Sequence, residues 1–256
     1  MIVREPRSIY VAGHLAKLLA PGPYDASYVA AGDSIGFAFD AQTGSHAIGT
    51  DRTATFFRDP NTYAGVPKGC DVRSCSLTGG EYLLVSGPQI AVCAKHYRSN
   101  IRAHRTRALA EQLRRWMLAG QTPDLLSAEN TFRQMSAVVA NPKRDPKAAR
   151  WMTPRRFRQL TEMVEAKLEG PITVAALSEE IGVSASFLSR AFNAYCGQSP
   201  YDFILSRRLQ RARRLLEATQ HPLVKIALKA GFSSQSHMTS VMRTRLGVNP
   251  TMIRRP

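Results

Sequence analysis

Long apolar runs are missing from these 256 residues. No stretch approaches the roughly 20 apolar residues that a membrane span needs. The opening residues, MIVREPRSIY, lack the basic-then-apolar layout of a secretory signal, so the chain is expected in the cytoplasm with no membrane partner. Cysteine is scarce. Cys70, Cys75, Cys93 and Cys196 are too few for a disulfide scaffold, and Cys70-x-x-x-x-Cys75 has no second pair beyond it to complete a metal pattern. Reduced, mostly buried thiols are expected. His14, His46, His96 and His104 show no paired ligand spacing, so each is expected to be a surface or satisfied core histidine, and neither metal nor cofactor is expected. Acidic residues are the third shortage, 19 Asp and Glu against 35 Lys and Arg, a formal charge of +16.

That charge is unevenly spread. From Pro142 onward there are 20 basic residues against 8 acidic, a net of +12, which leaves +4 for residues 1–141. A charge gathered in one part of the chain points to a polyanion partner for that part. With 44% apolar and 21% charged residues, the composition is that of a globular protein rather than a disordered one.

Up to about Gly87 the chain is strand-like. Short segments such as SIGFAFD, TATFF and EYLLVSG alternate with turn formers, among them Pro21-Gly22-Pro23, Asp59-Pro60-Asn61 and Gly79-Gly80. This density of short strands predicts a small β-barrel or sandwich, with residues 11–20 open to a short helix instead. From about Ser99 the period becomes helical: Leu109, Leu113, Trp116 and Met117 recur at helix spacing before Gly120. A second helix is expected from Pro123 to Ala140, with Leu126, Met135, Val138 and Val139 apolar. The two helices would cap the β domain or form a homodimer interface across residues 99–140. The stretch ANPKRDPKAARWMTP then reads as a linker. The predicted domains are therefore 1–140, a linker at 141–153, and 154–256, with Thr153 as N-cap and Pro154 at the first helical position.

The last domain holds an internal repeat. Leu188, Phe192, Gly197 and Pro200 stand 50 positions before Met238, Met242, Gly247 and Pro250, while Ser178-x-x-x-Gly182 precedes Ala227-x-x-x-Gly231 by 49. Each copy reads as helix, tight turn, helix. Thr173 caps the first helix of the first copy, Gly182 makes its turn and Ser184 caps its second helix; Pro222, Gly231 and Ser234 do the corresponding work in the second copy. The residues recurring every four positions face the core, and short polar side chains are left on the first turn of the second helix. That is the layout of a DNA-binding helix-turn-helix, whose recognition helix enters the major groove by its N-terminal turn. Between the copies, YDFILSRRLQRARRLLEATQ (201–220) predicts one long helix studded with arginine. About 17 helical residues span roughly 25 Å. With the width of the units added, the recognition helices would lie about 34 Å apart, one turn of B-DNA.

These residues resemble the AraC/XylS family of bacterial transcription regulators over positions 154–255. The resemblance is carried by Ile226-Ala227-x-x-x-Gly231-Phe232-Ser233-Ser234-Gln235-Ser236-His237, by Gly247-x-x-Pro250 with Arg254-Arg255, and by Ser184-x-x-x-Leu188-x-Arg190-x-Phe192 and Ser206-Arg207-Arg208-Leu209-x-x-Ala212. It implies a non-enzymatic α+β protein. A cupin-like small β-barrel sensor with trailing helices would be followed by an all-α domain of two helix-turn-helix units on a long helix. The implied function is promoter binding, usually with activation, the second unit lying near RNA polymerase and its sigma subunit, and an unnamed small-molecule effector on the sensor. Mapped onto this chain, the family's base-reading positions are Ser186, Ser189 and Arg190 in the first unit and Gln235, Ser236, His237 and Ser240 in the second. Arg190 suits guanine and Gln235 adenine. Phosphate contacts are expected at Ser184, Ser234, Arg207, Arg243 and Arg245.

The chain departs from the family's pattern in three places. Met238 and Met242 stand where aromatic residues are common, Ser240 where Arg or Lys is frequent, and Ser178 where Ala is usual, so that a buried Ser178 hydroxyl would need a partner. The competing readings are a cupin-type metal enzyme and an alkyl-transfer DNA-repair protein, each fused to this DNA-binding domain. The first needs a metal constellation in the β domain and the second a zinc-type cysteine cluster; neither is visible in the sequence.

Overall fold

The structure, a computed structural model, describes residues 7–92, 97–102, 107–140 and 150–254. The chain divides into two compact units, Met1–Arg144 and Asp145–Pro256. Cys93, His96, His104, Arg255 and most of the expected linker lie outside the described residues.

The first unit carries ten strands among the described residues: β1 (Arg7–Val11), β2 (His14–Leu19), β3 (Tyr24–Val29), β4 (Ser34–Ala38), β5 (Gln42–Ile48), β6 (Ala54–Arg58), β7 (Thr62–Val66), β8 (Asp71–Ser76), β9 (Tyr82–Ser86) and β10 (Arg98–Arg102). They form a six-stranded sheet in the order β1-β2-β9-β4-β7-β10 and a four-stranded sheet in the order β3-β8-β5-β6, with antiparallel pairing throughout. This is the antiparallel, cupin-like architecture expected. Residues 11–20 are not a helix. Ala12 and Gly13, both at positive φ, turn β1 straight into β2, and His14, Ala16 and Leu18 are buried alternately along β2.

The helices also begin later than their period suggested. Residues 98–102 pair with β7 as an edge strand, with a register shift and Asn100 at positive φ, and α1 starts at Arg107. The helical spacing from Leu109 onward is real; extending it back to Ser99 ran into a strand whose pairing is set by distant residues. Helices α1 (Arg107–Ala119) and α2 (Leu125–Ala140) lie on the six-stranded sheet, α1 against β1 and β2, α2 against β4 and β7. Leu113, Phe132 and Met135 are wholly buried, each contributing roughly 1.5–3 kcal/mol of apolar transfer. Leu126, expected on the apolar face, is instead 76% exposed in the first turn of α2.

His14 is a satisfied core histidine. Its ring stacks on Phe132 at 4.6 Å, Nδ1 lies 3.0 Å from the Ala12 carbonyl, and Nε2 accepts from the Gln89 amide.

The second unit is helical: α3 (Pro154–Ala166), α4 (Val174–Glu180), α5 (Ala185–Cys196), α6 (Pro200–Ala218), α7 (Leu223–Lys229), α8 (Gln235–Leu246) and α9 (Pro250–Ile253). Its boundaries are written in capping residues. Thr153, Thr173, Ser184, Ser199, Ser234 and Asn249 each accept a backbone N–H in the first turn of the helix they precede. Pro154, Pro200 and Pro250 occupy the opening position, where a missing N–H costs nothing. Phe157, Phe192 and Phe203 form the aromatic centre of the first copy, with ring centroids 5.3–5.7 Å apart. Met238 and Met242, both fully buried, occupy the corresponding core of the second.

Candidate nucleic-acid interface

The two repeats fold alike, down to single hydrogen bonds. In the first, Gly182 turns at φ +73°, its N–H donates to Glu179, and Val183 N–H donates to the Ser178 carbonyl. In the second, Gly231 turns at φ +86°, its N–H donates to Leu228, and Phe232 N–H donates to the Ala227 carbonyl. Only glycine takes this backbone without strain, so both turns need it. Ser178, the residue that departs from the repeat, is buried, and its Oγ donates to the Ala175 carbonyl at 2.8 Å.

Each turn delivers a recognition helix with an outward polar edge. On α5, Ser186 and Arg190 are exposed and Ser189 is half-buried. On α8, Ser236 and Ser240 are exposed, and Gln235 and His237 are half-buried. Gln235, Thr239 and Arg243 form one row along α8 and Ser236, Ser240 and Thr244 another, together lining a shallow open groove on its outer face. Thr239 and Thr244 were missed from sequence, as was exposed Asn193 on α5. The signal lay in their spacing, three or four residues from positions already singled out. His237 is held in place: Nδ1 is hydrogen-bonded to Ser233 Oγ at 3.0 Å, and its ring meets Phe232 edge-on at 5.4 Å.

The residues expected at phosphate divide into two groups. Ser184 and Ser234 are exposed at the N-termini of α5 and α8, and their hydroxyl oxygens accept from Phe187 N–H at 3.3 Å and His237 N–H at 3.0 Å. Arg243 is exposed on α8. Arg207 and Arg245 are engaged within the unit instead. Arg207 pairs with Glu165 of α3 and keeps only 12% of its side chain exposed, and Arg245 pairs with Asp202 in the first turn of α6.

The arginines of α6 thus have a structural use that the sequence did not reveal. Arg207 pairs with Glu165, Arg211 pairs with Glu169, and Arg208 donates to the carbonyls of Leu168 and Gly170, at 3.4 and 2.7 Å, just past the end of α3. Carbonyls at a helix C-terminus lack intrahelical donors, and a guanidinium fills that need. The turn of the second repeat closes on the same spot: a Cβ on Gly231 would sit 2.0 Å from the Leu168 carbonyl oxygen and 2.7 Å from Arg208 Nε. Helix α6 also packs against α5, α7, α8 and α9. At 19 residues it is about 28 Å long, a rod that touches both recognition helices.

Comparison with known proteins adds to this geometry. A family described as a helix-turn-helix domain matches residues 177–256. The HTH-type transcriptional regulator ArgR of Pseudomonas aeruginosa is 35% identical over 95 residues, which cover 37% of this chain and 29% of that protein. CdhR, an HTH-type transcriptional regulator of the same organism, is 32% identical over 100 residues, 39% of this chain and 30% of its own length. A solved structure of a transcriptional regulator from Chromobacterium violaceum, described as containing an AraC-type DNA-binding domain, is 35% identical across 38% of this chain and 87% of its own, with a TM-score of 0.36. The match thus spans less than a third of the length of the two curated relatives. Residues 177–256 of this chain, two like turn-and-helix units on one arginine-lined rod, match a helix-turn-helix domain family.

Proposed function

We propose that the chain is a sequence-specific DNA-binding transcriptional regulator that lays α5 and α8 into successive major grooves of promoter DNA. The observation that carries this reading is the pair of equivalent recognition helices, each with an exposed polar first turn, in a unit of strongly positive charge. Arg190, Ser186 and Ser189 read bases from the first unit; Gln235, Ser236, His237 and Ser240 read them from the second. Arg190 can grip guanine by two hydrogen bonds and Gln235 can do the same for adenine. Phosphate contacts come from Arg243 and from the capped helix starts at Ser184 and Ser234, where backbone N–H groups and helix dipoles favour an anion. Arg207 and Arg245 serve the frame that sets the spacing.

The reading is of a regulator rather than an enzyme, acting in the cytoplasm; among the described residues no helix is long and apolar enough to cross a membrane. Activation through RNA polymerase and its sigma subunit, and an effector on the β unit, follow from the resemblance. Homodimerisation would use residues 99–140, where Leu125 and Leu126 stand exposed at the start of α2; sedimentation of the full chain as a monomer at high concentration would remove that part. The direct test is salt dependence. With about 8 phosphate contacts, log affinity falls against log salt with a slope near −7. A nearly flat line would refute the proposal.

A further inference from the structure

The outer edges of α5 and α8 differ in one systematic way when the helices are compared residue by residue, 50 positions apart. Ser189 and Thr239 are both half-buried, while Arg190 and Ser240, like Asn193 and Arg243, are exposed, so matching residues are presented alike. On the second turn, α5 thus offers a guanidinium where α8 offers a short hydroxyl. The outward arginine of α8 comes about one turn later, at Arg243, where α5 has Asn193. The N-terminal part of a recognition helix meets base edges, and its later turns run towards the backbone. The long cation is therefore placed for a base in the first unit and for phosphate in the second.

The rest of the α8 edge is short and uncommitted. Gln235, Ser236, Thr239, Ser240 and Thr244 line the shallow groove together with Arg243. Elsewhere in the protein, hydroxyls within helices are satisfied by their own helix. Thr131, Thr161 and Ser206 each donate to the carbonyl four residues earlier, at 2.8–2.9 Å. Among the described residues the side chains of Ser236, Thr239, Ser240 and Thr244 make no such bond, and those of Gln235 and Arg243 have no partner. Gln235 and Thr239, four residues apart, stand side by side on one row of the helix. This row presents a carboxamide followed by a methyl-bearing side chain, where α5 has Ala185 and Ser189.

We infer that the two half-sites belong to different base classes: the one under α5 needs a guanine, and the one under α8 is read as A·T pairs, with Thr239 selecting thymine by its C5-methyl group. A guanidinium fork matches guanine O6 and N7, a carboxamide matches adenine N6 and N7, and a threonine methyl packs on the methyl of thymine. Gln235 and Thr239 supply the last two side by side, and α8 has no cation on its first two turns to compete for guanine. Ser236 and Ser240 bond to whichever base faces them and add no preference. Because the half-sites cannot be exchanged, the protein lies on its DNA in one fixed direction. The inference rests on the DNA-binding reading and names the substrate of that site.

The test uses DNA selected by the full-length chain from a random pool, with the first half-site identified as the one whose base preference Arg190→Ala relaxes. Each thymine is then replaced singly by deoxyuridine, which removes the C5-methyl group and leaves base pairing intact, and affinity is measured by fluorescence anisotropy. One replacement in the second half-site is expected to weaken binding about fourfold, the worth of one buried methyl group; none in the first half-site is expected to matter. Thr239→Ser should bind the thymine and uracil duplexes equally, each as tightly as the parent binds uracil, which also shows that the variant is folded. Thr239→Val, which restores the methyl group, should restore the preference. A pool with no enriched sequence would remove the DNA-binding reading itself. Three results would overturn this inference alone: a required guanine in the second half-site, equal binding of the thymine and uracil duplexes by the parent, or a thymine preference that survives Thr239→Ser.

Discussion

The two helix-turn-helix units share a backbone but not a core. Leu188 and Phe192 fill the first, where aromatic rings of α3 and α6 converge, whereas Met238 and Met242 fill the second. The first unit's opening helix is capped by the Thr173 side chain; the second's begins at Pro222 with no side-chain cap. What the units keep in common is the turn glycine, the capping serine and the exposed first turn of the recognition helix. The chemistry of the outer edge is then free to diverge, with a long cation at Arg190 in one unit and a field of short polar groups in the other. The difference teaches that presentation of the edge is fixed by turn geometry, while core composition is negotiable at constant volume.

The sharpest way to break this comparison is at the two turns. Gly182→Ala meets no atom within 4 Å and suffers only left-handed strain, about 1–2 kcal/mol. Gly231→Ala adds a collision with the Leu168 carbonyl and Arg208, so a loss of at least about 3 kcal/mol is expected. Melting of both full-length variants, followed by helical circular dichroism, should show Gly231→Ala as clearly the worse. Equal losses would mean that the junction between α3, α6 and the second turn is slack.

At the edges, Arg190→Ala should cost about 1–3 kcal/mol in affinity for a selected DNA and relax preference at one base pair, leaving the salt slope almost unchanged. Ser240→Ala, losing one short hydroxyl, should cost less. A loss from Arg190→Ala that is uniform over all sequences, with a shallower slope, would make Arg190 a phosphate contact. Smallest and most even are the caps: Ser184→Ala and Ser234→Ala should each lower stability by about 1 kcal/mol, measured by urea denaturation, since their hydrogen bonds are alike. A large inequality between them would show that one helix start is held by something other than its serine.

What the sequence made legible was local. Capping residues, turn glycines and the repeat offset sit within a few positions of the groups they serve, so Thr153, Ser184, Ser234 and the extent of α6 could be read directly. Less was legible where the deciding partner is distant. Arg207 and Arg245 look like surface cations until Glu165 and Asp202, 42 and 43 residues away, are brought beside them. Residues 98–102 carry no helix-breaking signal of their own and become a strand only by pairing with β7. Thr239 and Asn193 were within reach, had the spacing on each recognition helix been carried one turn further.

The most direct test of two recognition helices working from one chain is hydroxyl-radical footprinting on DNA selected by the full-length protein from a random pool. Two protected stretches on one face of the duplex, about one helical turn (10–10.5 base pairs) apart, are predicted, with Arg190→Ala weakening one stretch and Gln235→Ala the other. A single protected stretch, or both substitutions weakening the same one, would contradict the account.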